Sequence, residues 1–122
     1  MRKTISLLVL ISLPLIMGAG ESVTLTNTPN PDGAKQRLKG SGTYTLSGGD
    51  TFINVTYTVT VWQSNPPQTT QSYDNTGGGT WAKTLSVAAG TYNPTQATLV
   101  WSSGGQVHNV QNTNTTDNVV VN

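Results

Sequence analysis

Trp62, Tyr73 and the alternating series Thr56, Thr58, Thr60 are the residues whose types and spacing suit a definite chemistry. Aromatic faces cover the C–H surface of sugar rings, and hydroxyl side chains exchange hydrogen bonds with sugar hydroxyls. Trp62 shares the parity of the three threonines, which puts it on the outward side of a strand unless a bulge rotates it. The competing reading is a strand-end Trp covered by the loop that follows.

Catalytic constellations are harder to assemble. His108 is the one histidine, no Gly-x-Ser-x-Gly elbow is present, and His108 reads as a surface residue on a strand. A structural zinc site needs about four Cys or His ligands, and one His with no Cys falls short. Glycoside hydrolysis needs two carboxylates on one cleft, whereas most of Glu21, Asp32, Asp50, Asp74 and Asp117 stand beside Gly or Asn, where Asp serves turn backbone. Calcium would require Asp32, Asp50, Asp74, Asn75 and Asp117 to converge at one end of the domain, without EF-hand spacing to bring them there. The expectation is binding without catalysis and without a cofactor.

The elements that position these residues read as strands. Ile53, Val55, Tyr57, Val59 and Val61 alternate with Asn54 and the three threonines, a period of two that marks a long strand with one buried face. The same alternation places Trp81, Leu85 and Val87 inward in one segment, and Ala97, Leu99 and Trp101 inward in another. With segments at Thr43–Ser47, Ser22–Thr26, Gln106–Gln111 and Asn118–Val121, about seven strands are expected. Gly104-Gly105 suits a tight hairpin, and Val107 with Val110 breaks alternation, which predicts a bulge or an exposed edge there. Residues 27–33 and 64–79 read as long loops. Lys35, Arg37 and Lys39 share a parity and suit either a small patch for an anionic polymer or a sheet edge protected by cations.

Arg2 and Lys3, the apolar run from Ile5 to Ile16, and Gly18-Ala19-Gly20 have the order of a secretory signal peptide. The apolar run is too short to span a bilayer, so cleavage is expected between Gly20 and Glu21, with no membrane attachment afterwards. The expected parts are a signal helix over 1–20 and one domain over 21–122, secreted to an extracellular or periplasmic location. Without Arg2 and Lys3, four basic residues remain against five acidic ones, too few cations for a nucleic-acid partner. Charged residues make up only 9% of the chain, and Cys is absent, so solubility rests on hydroxyls and amides and stability on sheet packing alone. Asn54-Val55-Thr56 and Asn114-Thr115-Thr116 are glycosylation sequons in a eukaryotic secretory route.

The run Val87-Ala88-Ala89-Gly90-Thr91-Tyr92, ahead of a strand ending in Trp101, resembles the corner before the sixth strand of immunoglobulin-like and fibronectin III-like domains, with Tyr92 as the corner tyrosine. Pro94 stands where antibody domains place a cysteine, so the resemblance is to the disulfide-free bacterial extracellular class. It implies an antiparallel all-β sandwich with a binding or spacer role. The expected function is an exported structural or protein-interaction domain, with self-association through edge strands or Val119-Val120-Val121. The alternative is a small carbohydrate-binding domain using Trp62, Tyr73 and the threonines. Either way the partner is a protein or a cell-surface polymer. Ice or mineral contact through the Thr ladder is a thinner third reading, since β propensity alone explains exposed Thr.

Overall fold

The computed structural model describes residues 20–122, so the expected signal segment lies outside the described residues apart from Gly20. The described chain is all-β. Nine strands form two antiparallel sheets: β1 (Ser22–Val23), β2 (Thr26–Pro29), β3 (Arg37–Thr45), β4 (Thr51–Val61), β5 (Thr69–Asp74), β6 (Thr80–Ser86), β7 (Gly90–Ser103), β8 (Gln106–Asn114) and β9 (Val119–Val121). In the smaller sheet β3 is central, with β6 on one side and β1 and β2 in succession on the other. In the larger sheet the order is β5, β4, β7, and then β8 and β9 in succession along the far edge of β7.

Alternation makes the core. Val55, Tyr57 and Val59 from β4 and Ala97 and Leu99 from β7 have no exposed surface, and they meet Leu38, Trp81 and Leu85 from the smaller sheet. Both tryptophans expected inside are inside. The rings of Tyr57 and Trp81 touch across the sandwich at 5.7 Å, tilted by 53°. This close approach needs Gly40 on β3, because a Cβ there would lie 2.6 Å from the Tyr57 ring. The Tyr57 hydroxyl donates to Asn27 Oδ1, and Asn27 Nδ2 donates to Thr95 Oγ1 at 2.8 Å, so a partly buried polar chain ties β2 to β4 and β7. Burial pushes the Tyr57 pKa well up. Trp81 Nε1 donates to Thr24 O at 2.9 Å, fastening the break between β1 and β2.

Several expectations need correction. Nine strands stand in place of about seven, because the segment 64–79 contains β5 and the segment 27–33 begins inside β2 before a 3₁₀ turn at Pro31–Gly33. Strand β5 was hidden because Thr69, Thr70, Gln71 and Tyr73 are all exposed, which leaves no apolar alternation to read. Ile53 does not join the core. β4 carries one extra residue between the pairs Phe52–Trp101 and Asn54–Val100, and this bulge leaves Ile53 exposed while Phe52 packs inward. Lys39 and Arg37 do not guard an edge, since β3 is paired on both sides. β8 keeps unbroken register with β7 from Gln106 to Asn114, so Val107 and Val110 mark an exposed edge and not a bulge.

Candidate functional site

The side of the larger sheet that faces away from the core brings Thr56, Thr58, Thr60 and Tyr73 onto one surface. Directly opposed residues in an antiparallel pair share a face, so the pairings build rows across the strands. One row runs Tyr73, Thr56, Thr98, Gln111, and the next Gln71, Thr58, Gln96, Thr113. Asn54, Val100 and Asn109 extend the surface on one side, and Thr60 with Thr69 on the other. None of these side chains is charged. Hydroxyls and amides hold one another along the second row, Thr58 Oγ1 to Gln71 Oε1 at 3.2 Å and Gln96 Nε2 to Thr113 Oγ1 at 2.7 Å, and between the rows, Gln96 Nε2 to Gln111 Oε1 at 3.2 Å. Thr56 Oγ1 donates to Asn54 Oδ1 at 3.2 Å, within the first sequon.

Both aromatic candidates are exposed, Tyr73 at 55% and Trp62 at 45%. Trp62 is therefore not covered by its loop. Asn93 and Pro94 together oppose Thr60, which puts the extra residue of this second irregularity on β7 and leaves Trp62 its outward parity. The two aromatics are not brought together, however. Tyr73 stands opposite Thr56, and Trp62 follows six positions further along the strand direction, roughly 20 Å away. Trp62 has a different neighbour: its amide donates to Thr91 O at 2.9 Å, and Thr91 pairs with Val120, which is 56% exposed. Val120 was legible only as part of an apolar triplet. Its flanking residues Val119 and Val121 are buried, and Asn122 exchanges hydrogen bonds with Asn30. The terminal valines thus complete the chain's own sheet.

The ionisable residues are spread out. His108 lies exposed on β8, stacked on Trp101 at 5.8 Å between ring centroids. Asp74 Oδ2 accepts from the Ala82 amide at 2.9 Å, and its Oδ1 accepts from both the amide and the hydroxyl of Thr76. Burial works upward on its pKa, but these hydrogen bonds, aided by Lys83, outweigh it and hold the carboxyl below its usual range. Asp50 Oδ2 accepts from the Ser47 amide, Asp117 Oδ2 from Asn114 Nδ2, and Asp32 sits in the 3₁₀ turn. No three of these acids and His108 gather into a group among the described residues. Glu21 shares a hydrogen bond with Asp50, and that contact, with burial, raises the Glu21 pKa.

Two recesses lie apart from the rows of the uncharged surface. A groove of about 530 Å³ runs between β2 and the turn joining β8 to β9, lined by Leu25, Asn27, Pro29, Asn114 and Val119 among others. A smaller one of about 230 Å³ lies among Glu21, Asp50, Trp101, Ser103 and His108. Tyr73 and Trp62 line neither. Comparison with protein-family models, with curated proteins and with solved structures gave no match to this chain in any of the three.

Proposed function

We propose that this is an exported, immunoglobulin-like β-sandwich that works by binding, as an extracellular structural or interaction domain, through the outward side of its larger sheet. The strand order supports the immunoglobulin-like assignment, as does the Tyr92 hydroxyl donating to Ala88 O at 2.6 Å, the bond the corner resemblance implies. The observation that carries the functional reading is the uncharged outward face, built from cross-strand rows of Thr, Gln and Asn with Tyr73 at one end. Such a face places no charge against a neutral partner and offers donors and acceptors to many.

The carbohydrate reading is favoured by one feature, Tyr73 exposed beside Thr56 and two amide rows. In that form the ligand is an extended neutral polysaccharide, because the distance from Tyr73 to Trp62 exceeds a short glycan. The test is retention of the purified protein on a panel of polysaccharides and cell-envelope preparations, with Tyr73→Ala and Trp62→Ala alongside. Retention lost in Tyr73→Ala assigns a sugar-binding face. Retention on envelope proteins that survives both substitutions assigns an interaction domain, and no retention on any surface contradicts binding as the function.

A further inference from the structure

Strand β8 reads nearly the same in both directions. About Val110 as centre, Asn109 balances Gln111, His108 balances Asn112, Val107 balances Thr113, and Gln106 balances Asn114. Amide answers amide in two pairs and β-branched answers β-branched in a third, while His108 meets the uncharged Asn112. A two-fold axis normal to the sheet, passing midway between Val110 of one copy and Val110 of another, would lay the two β8 strands antiparallel, with each of these pairs directly opposed.

The faces agree as well as the residue types. Asn109, Gln111, Val107 and Thr113 lie on the outward face, opposite Val100, Thr98, Ser102 and Gln96 of β7. His108 and Asn112 lie on the inward one, the first stacked on Trp101 and the second donating to Val23 O at 3.0 Å. Every opposed pair therefore keeps its two members on one side of the joined sheet. No formal charge meets another across the axis, and the edge carries none of the devices that block strand addition: no Lys, no Pro and no break in register over nine residues.

The remaining edges differ. β1 and β2 are interrupted at Thr24 and Leu25 and end at Pro29. β6 carries Lys83, and its Ala82 amide is taken by Asp74. β5, the other edge of the larger sheet, ends in that same Asp74. Its reversal would set Thr69 against Asp74 and Thr70 against Tyr73, with no such matching.

We propose that the occupant of the β8 edge is a second copy of this chain, paired antiparallel about Val110 so that two uncharged outward faces join into one continuous surface. Main-chain hydrogen bonds supply the affinity, and the symmetric side-chain pairing sets the register. This rests on the interaction reading above and names its partner.

Light scattering over a concentration series, run on the purified protein and two double variants, tests it. The parent protein rises from one chain to two and stops there. Asn109→Lys with Gln111→Lys sets like charges opposite each other twice and weakens association at least tenfold. Asn109→Lys with Gln111→Glu sets opposite charges together and restores it. All four positions in the pair of copies are exposed, and circular dichroism confirms an unchanged fold. A parent that stays one chain, growth beyond two chains, or equal behaviour of the two variants would overturn the proposal. A single-chain protein that still binds polysaccharide or envelope would overturn the pairing alone. A two-chain protein that binds nothing else would leave the pairing and contradict the wider ligand-binding reading.

Discussion

The two sheets share one core and differ in almost everything they show to solvent. The outward side of the smaller sheet carries Arg37 and Lys39, and its edges are interrupted, ended by Pro29, or closed by Asp74 and Lys83. The larger sheet shows an uncharged outward face and a long open edge at β8. Edge protection is the ordinary way for a sheet protein to avoid association. A chain that protects one sheet and leaves the other open has the means of protection and does not use it at β8. The inward faces of both sheets hold the sandwich, and only the larger sheet leaves an uncharged outward face and a long open edge.

Substitutions in the holding parts carry the largest expected effects. Trp81→Ala removes a buried ring that spans the sheets and the bond to Thr24 O, and a loss of about 3–5 kcal/mol in urea unfolding is expected. Gly40→Ala sets a methyl 2.6 Å from the Tyr57 ring, and the forced shift costs about 1–3 kcal/mol in the same measurement. Tyr92→Phe deletes the corner hydrogen bond to Ala88 and costs about 1 kcal/mol.

The smallest effects on stability belong to the outward face of the larger sheet. Thr58→Lys changes stability by less than about 0.5 kcal/mol in thermal unfolding, since its side chain is on the outward face and its hydroxyl bonds the exposed Gln71. A loss as large as that of Gly40→Ala would break the division between the core and that outward face. Acid tests a contact between the two sheets, since Asp74 at the end of β5 accepts from the Ala82 amide of β6. The Asp74 carboxyl has its pKa lowered in the folded state, so its contribution is present above the unfolded pKa and is lost as pH falls through the folded value. Asp74→Asn should therefore flatten the decline in stability below about pH 4, measured by unfolding at a series of acid pH values. An unchanged acid limb would show that the Ala82 and Thr76 bonds do not depend on that charge.

Much of the holding structure was legible in the sequence. Trp81, Leu85, Leu99 and Trp101 declared their burial through alternation, and Tyr92 through the Gly-x-Tyr spacing before its strand. What failed was whatever depends on a partner distant in sequence. The central place of β3 comes from pairing with β2 and β6, and nothing in Arg37 to Lys39 reports it. The bulge at Ile53 is set by the register with β7, so parity alone assigned Ile53 to the core. Strand β5 has solvent on both sides and so lacks an apolar signature. For the candidate site, the Thr ladder and the two aromatics were readable. The rows that join the ladder to Gln96, Thr98, Gln111 and Thr113 were not, and neither was the separation of Trp62 from Tyr73.

The central claim is that the outward side of the larger sheet is the working surface. The most direct measurement introduces one lysine at a time into the outward side of each sheet, Thr58→Lys and Thr98→Lys on one and Ser41→Lys and Thr84→Lys on the other. Each folded variant is then assayed for retention on the polysaccharide or envelope preparation that holds the parent protein. The account predicts retention lost in the first pair and kept in the second. Retention lost only in the second pair, or unaffected by all four, would contradict it.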